Sequence, residues 1–351
     1  MTTSPSVFLH GLHTAVPPHE LPQNIVETKA RRILGPKFKA FERMSRTFIT
    51  SGVETRYSAA PFDWFEEPSD WTDRNSRYID AATELFVETA EGAMKDADWS
   101  GNEVDVVVSV SSTGIATPTL EARAKGRLGL RDDVLRVPVF GLGCAGGVSG
   151  LTVARELAAA RPGAKVLLVV VELCTLSFRS DKLTKADIIA TVLFGDGAAA
   201  ACLSTDAGRV ELGRGVAKTW PDTLPIMGWD VDNHGLGVVF DRSIPDFTTH
   251  EFRDAVDAAL PEMGLTLSDI DRLVCHPGGA KVVEAIEGAM DLAPGTLDAE
   301  REVLRGYGNM SAPTVLFVLD HVLKGGATGE LLLCALGPGF SAAFMPAKVV
   351  A

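Results

Sequence analysis

A repeat at an offset of about 165 residues constrains this chain more than any other feature of its sequence. An apolar run opened by Asp105 returns as one opened by Asp271, and 271 − 105 = 166. The glycine-rich turn GLGCAGG, centred on Cys144, returns as GYGNMSA around Asn309, and 309 − 144 = 165. Each turn leads into a helical stretch and then an apolar strand, LLVVVEL in one half and ELLLCAL in the other. Helical stretches at 81–97 and 120–128 flank the run 104–110, and stretches at 251–263 and 280–290 flank the run 270–275. Alternating helix and strand periods argue for an α/β chain, and two copies in register argue for a duplicated one whose functional turns correspond. The halves divide at 1–205 and 206–351. The loops RPGAK and KGGATGE carry helix-ending glycine. No Pro/Ser-rich or like-charged linker separates the halves, which predicts that they pack as one body.

Charge and cysteine usage remove several classes of function. With 33 Lys+Arg against 46 Asp+Glu the net charge is −13, which excludes a basic nucleic-acid binder. Hydrophobic residues make up 46% of the 351, enough for a large core held without staples. The five cysteines form no CxxC pair and have no run of nearby histidines, so neither a disulfide framework nor a zinc site is expected. The opening MTTSPSVFLHGLHTAVPP lacks a basic segment followed by an apolar one. The most apolar run, 166–171, is far shorter than the roughly 18 residues of a membrane span. A soluble, cytoplasmic protein is expected.

The chemistry sits on three turns. Cys144 lies between a strand candidate, RVPVF, and a helix candidate, GVSGLTVARELAAA, with Gly143, Gly146 and Gly147 around it. Partial positive charge at a helix start favours thiolate over thiol, and glycines let backbone donors approach an oxyanion. Cys144 is therefore a candidate nucleophile, although a buried apolar cysteine fits the same position. Gly141, Gly143 and Gly146 also spell the dinucleotide-binding GxGxxG, the signature of an NAD(P)-dependent oxidoreductase. That pattern wants an acidic residue about 20 positions on, and Glu172 stands too far along, at 172 − 141 = 31. A hydrolase nucleophile elbow needs Gly where Leu142 stands. His276 follows the strand DRLVC and opens a Pro-Gly-Gly turn, where α/β folds place functional groups; a histidine satisfied in the core is the alternative. Asn309 occupies the position equivalent to Cys144, as an anion donor or a turn former. Asp196, in FGDG, reads as a turn residue. His10, His13, His19, His234, His250 and His321 form no metal pattern.

Five ordered motifs carry a resemblance: GLGCAGG around Cys144, LFGDGAAA at 193–200, CHPGG around His276, GNMSAPTVLFVLD at 308–320 and LGPGF at 336–340. Together they resemble the type III polyketide synthases, the chalcone-synthase-like branch of the thiolase superfamily, from about Phe8 to Phe344. The resemblance implies a duplicated thiolase-like fold in five αβαβα layers, in a homodimer. It implies Cys144 as nucleophile with His276 and Asn309 completing a triad, an acyl-CoA starter, malonyl-CoA as extender, and neither metal nor redox cofactor. Phe194 and Phe240 match the two gatekeeping phenylalanines between the CoA tunnel and the acyl cavity, and Cys174 and Ser177 match residues that line that cavity. Thr117 matches the residue inserted into the partner's cavity. The MGWD and GLGVVF stretches resemble bacterial members that make alkylpyrones or alkylresorcinols from fatty acyl starters. Where plant-type members offer lysines to CoA, this chain offers Arg43, Arg46 and Arg56, the last with a structural role as its alternative. A catalytically silent partner subunit would not need the Cys, His and Asn that are present. Starter length, number of extensions and ring closure depend on cavity volume rather than on any motif.

Overall fold

The pleat of a strand sends alternate residues to opposite faces, so a run apolar at every position belongs to a sheet covered on both sides. The runs 106–108, 166–171 and 331–336 are of this kind. In the computed structural model, which describes residues 5–67, 69–179 and 183–350, all three lie in strands of one sheet. The first half contributes β1 (Val7–Ala15), β2 (His19–Glu20), β3 (Tyr57–Ser58), β4 (Val106–Val110), β5 (Leu135–Val139), β6 (Val166–Leu173) and β7 (Asp196–Ser204). The second contributes β8 (Val210–Leu212), β9 (Val216–Thr219), β10 (Met227–Asp232), β11 (Gly235–Phe240), β12 (Arg272–Cys275), β13 (Gly329–Gly337) and β14 (Ser341–Val349).

Ten of these form a sheet in the order β12-β13-β14-β8-β1-β7-β6-β4-β5, with β9 also paired to β14. The duplication is explicit in this order. β4 runs parallel to β6, which is antiparallel to β7, itself antiparallel to β1. β12 runs parallel to β13, which is antiparallel to β14, itself antiparallel to β8. The halves meet where β1 and β8 pair, Val7 opposite Leu212. Local chemistry repeats as well. The Asp105 carboxylate accepts the Lys165 N–H and the Asp271 carboxylate accepts the Glu330 N–H, both at 2.8 Å and 330 − 165 = 165 residues apart. Ser100 with Glu103 and Thr266 with Asp269 form capping boxes 166 residues apart, just ahead of β4 and β12.

Alternation along the strands builds five layers. Val106, Val108 and Val110 share a core with Leu331, Leu333 and Ala335, and between them lie the helices Gly146–Ala160 and Thr314–Lys324. The opposite face of the first half, Val107, Leu167 and Val169, packs against the helices Trp71–Asp96 and Leu120–Leu128 through Phe86 and Ala124. In the second half Leu332 and Cys334 meet Phe252 and Val283 on the helices Ile244–Glu262 and Ala280–Ala289. Each fully buried Val or Leu in these layers contributes about 1.5–3 kcal/mol, which fixes the register that carries the turns. Among the described residues no helix is long and apolar enough to cross a membrane.

Candidate active site

The chain leaves β5 through Gly141 (φ 89°) and Gly143 (φ 46°), makes a 3₁₀ turn over Gly143–Ala145 and enters the central helix at Gly146. Cys144 therefore stands in the turn that feeds the helix. The left-handed backbone at 141 and 143 needs glycine. The other demand is close approach from the second half: a Cβ on Gly143 would lie 2.7 Å from the Pro338 ring, and one on Gly337 would lie 2.7 Å from the Ala145 nitrogen. The glycines of GLGCAGG and LGPGF thus admit each other's backbone.

Burial outweighs the expected preference for thiolate at this turn. Enclosure pushes the Cys144 thiol up to about 11, partly offset by a hydrogen bond with Ser311. His276, buried at the end of β12, is pushed down to about 4 by the same loss of solvation. Neither its Nδ1 nor its Nε2 has a hydrogen-bond partner among the described residues. At rest the Cys144 thiol and the His276 imidazole are both neutral, and both ring nitrogens of His276 are unspent among the described residues.

Asn309 ties these groups together. Its Oδ1 accepts the Ser311 N–H at 2.8 Å, and its Nδ2 donates to the carbonyl of Gly278, two residues beyond His276, at 3.1 Å. Ser311 adopts φ 60°, which turns the loop back towards Cys144. The three turns singled out in the sequence are therefore joined in space, through a serine that no spacing argument marked.

Cys144, Cys174, Phe194, Phe240 and Ser311 line a cavity of about 40 Å³. The β10–β11 hairpin contributes Phe240 and also Trp229, whose ring meets Phe194 edge-on at 6.4 Å. Trp229 lies in the MGWD stretch, but its place in the cavity wall was not read from sequence, because an aromatic in a short hairpin carries no periodic signal. A second pocket of about 70 Å³ shares Cys174 and Phe194 and is walled by Val26, Ile33, Phe62 and Phe178. Ser177 lines this second pocket rather than the first, donating to the Cys174 carbonyl at 2.7 Å.

Three buried ionisable residues brace the segments that line the cavities. Glu172 accepts from the Ser112 N–H at 2.9 Å and the Thr113 hydroxyl at 2.8 Å, and burial pushes its carboxyl up to about 8. Facing inward, it is committed to protein donors rather than to a ribose. Asp196 opens β7 and accepts from Ala59 N and Thr175 N at 2.8 and 2.7 Å, an anchor between segments. Arg56 is 2% exposed and donates to the carbonyls of Thr191 and Phe194 at 2.7 and 3.1 Å and to Gln23, contacts that fit a structural role. Arg43 and Arg46 lie exposed on the short helices Phe41–Met44 and Arg46–Thr50, whose Phe41 and Phe48 share an apolar cluster with Leu193. Thr117 is exposed, away from the Cys144 cavity of its own chain, beside exposed Ile115. Among the described residues no three His, Cys, Asp or Glu side chains are grouped to hold a metal ion.

Comparison with known proteins agrees with this arrangement. Family models for the N-terminal and C-terminal domains of chalcone and stilbene synthases match residues 6–207 and 211–347. A 1,3,6,8-tetrahydroxynaphthalene synthase of Streptomyces peucetius subsp. caesius is 38% identical over 347 residues, 95% of this chain and 91% of the relative. A putative chalcone synthase of Bacillus subtilis is 32% identical over 353 residues, 95% of this chain and 96% of the relative. The crystal structure of the tetrahydroxynaphthalene synthase of Streptomyces coelicolor, a bacterial type III polyketide synthase, superposes with a TM-score of 0.93 at 26% identity over 98% of this chain and 99% of the other. The chain belongs to the chalcone and stilbene synthase family, as an acyl-transferring type III polyketide synthase.

Proposed function

We propose that Cys144 takes an acyl group from a fatty acyl-CoA, that malonyl-CoA extends it by decarboxylative condensation, and that the product closes to a pyrone or resorcinol. The observation that carries the starter assignment is the apolar pocket across Phe194 from Cys144, walled by Val26, Ile33, Phe62 and Phe178. A hydrocarbon chain gains about 0.8 kcal/mol for each methylene it buries there.

In the loading step the Cys144 sulfur attacks the thioester carbon while His276 takes the thiol proton. The starter C–S bond breaks, and CoA leaves with that proton. Transfer inside the pair costs less than ionising either group alone, because each charge supplies the other's counter-ion. Malonyl-CoA then loses CO2, and the electron pair of the broken C–C bond becomes an enolate. Its oxygen accepts from the His276 N–H and from the Asn309 amide, which spends only one of its two hydrogens on Gly278. The carbanion attacks the acyl carbon on Cys144, forming a C–C bond as the Cys144 thioester breaks. None of these steps changes the oxidation state of a cofactor or calls for a metal, so CoA thioesters suffice. Phe194, Phe240 and Cys174 keep the thioester dry. Arg43 and Arg46 serve the CoA phosphates.

A second copy of the chain is the expected partner. β5 is an edge strand, and Ile115, Leu135 and Phe140 expose apolar area there at 53%, 37% and 62%. Covering this face would carry Thr117 towards the neighbouring cavity.

A tetrahydroxynaphthalene product, the one in the name of the Streptomyces peucetius relative, built here from malonyl-CoA alone, is the second reading. Product masses from malonyl-CoA with acyl-CoAs of graded length separate the two. Masses that rise with the starter support the fatty acyl assignment, and one acyl-free product from malonyl-CoA alone, unchanged by any starter, overturns it.

A further inference from the structure

The two halves differ beside the strand that ends at His276. In the first half β4 is flanked on both sides, with Ser109 opposite Pro138 of β5 and Val169 of β6. Cys275 occupies the place of Ser109, since 275 − 109 = 166. Its strand, β12, is an edge strand with only β13 beside it. The stretch that would form a counterpart of β5 is instead the helix Asp298–Tyr307.

A buried N–H on a strand without a neighbour must find another acceptor. The Cys275 N–H donates to Oε1 of Glu300, on that helix, at 3.0 Å. Glu300 has no exposed surface. Its Oε2 has no hydrogen-bond partner among the described residues, the nearest cation being Arg272 Nη2 at 3.8 Å. Burial pushes the carboxyl up to about 7, against the pull of Arg272 and Arg301. A half-satisfied buried carboxylate is a costly way to cap one amide, and its helix neighbours Ala299, Val303 and Leu304 bury apolar groups instead.

What the carboxylate holds is the N–H of Cys275, the residue immediately before His276. The next N–H, that of His276 itself, donates to the Cys334 carbonyl on β13 at 2.8 Å. Successive amides are thus gripped by different elements, a helix and a strand. Because the imidazole makes no hydrogen bond of its own, its direction rests on this backbone and on packing.

We propose that Glu300 is a positioning residue, standing in for an absent strand so that His276 is aimed at the Cys144 cavity. This rests on the role of His276 proposed above.

The test compares Glu300→Leu, Glu300→Gln and Glu300→Asp in the full-length enzyme, with His276→Ala alone and combined with Glu300→Leu. Glu300→Leu should lower kcat about ten- to a hundredfold with KM for malonyl-CoA unchanged, the pattern of misaimed chemistry. Glu300→Gln, which keeps an acceptor oxygen, should recover most of that loss, and Glu300→Asp, one methylene short, should not. In the double variant Glu300→Leu should add nothing to His276→Ala. Additive losses, a rise in KM with kcat intact, or equal loss in Gln and Leu would overturn the positioning role. Should Glu300→Leu fail to fold, the contrast between Gln and Asp decides alone. Full activity in His276→Ala would instead remove the histidine's role, so the two failures are told apart.

Discussion

Phe194 and Asn309 are joined through their backbones in an isolated parallel bridge, in which the Asn309 N–H donates to Leu193 O at 2.8 Å and the Gly195 N–H donates to Asn309 O at 3.0 Å. An aromatic wall from the first half and an amide from the second are therefore set against each other by main-chain bonds that side-chain substitution leaves in place.

Asn309→Ala should accordingly keep the wall and lose the donor. Malonyl-CoA decarboxylation, followed as released CO2, is expected to fall on the order of 10²-fold or more, as when one oxyanion donor is removed. Decarboxylation at the wild-type rate would show that the amide only shapes its turn.

The thiol and imidazole should titrate as a pair. With the imidazole present and neutral, burial already drives the Cys144 thiol up to about 11, so the thiolate gains a counter-ion only as His276 takes the proton. Removing the imidazole by His276→Ala should remove that gain, slowing iodoacetamide alkylation at neutral pH about tenfold for each pKa unit. Superimposable rate-against-pH curves for the two proteins would deny His276 the proton.

Folding stability should fall as pH rises from 6.5 to 8. Glu172 titrates at about 8 in the folded chain against an ordinary 4.5, so across this window the native state holds a proton that the unfolded state has released. Glu300, at about 7, acts in the same sense. His276 acts oppositely, but only between about 4 and 6.5, below the window. Thermal melts should show the decline, and Glu172→Gln should flatten it; a variant with the wild-type slope would remove Glu172 as its source.

Arg56→Ala should cost about 3–5 kcal/mol, because it strips the carbonyls of Thr191 and Phe194 of their donor and leaves Asp196 without its buried counter-charge. Urea unfolding gives the figure, and a loss below about 1 kcal/mol would mean that water replaces the guanidinium.

The duplicated α/β plan was readable from sequence because a repeat at about 165 residues brings corresponding strands, helices and turns into register, whereas the five layers were implied by the family resemblance. Asp105 and Asp271 mark equivalent strand starts, and the valines of β4 and leucines of β13 sort themselves between layers. The settings of Cys144, in a turn feeding a helix, and of His276, at a strand end, were legible for the same reason. Ser311 and Trp229 were not: the first acts through a left-handed backbone and the second through a hairpin folded over a cavity, both products of long-range packing. Thiolate preference at the turn was misjudged, since a helix start is visible in sequence and the depth of burial is not. Glu300 shows the same limit, its purpose defined by a strand that is missing.

The seam between the halves also fixes an order in time. β1 lies in the middle of the sheet, yet its partners β7 and β8 end at Ser204 and Leu212, nearly two hundred residues later in the chain. At ribosomal rates β1 waits roughly 10–40 s for its neighbours. Its sequence, VFLHGLHTA, keeps His10 and His13 uncovered across that interval. β1 thus has the longest wait for its neighbours of any strand in this sheet, and nascent chains halted before Leu212 should leave it open to proteolysis.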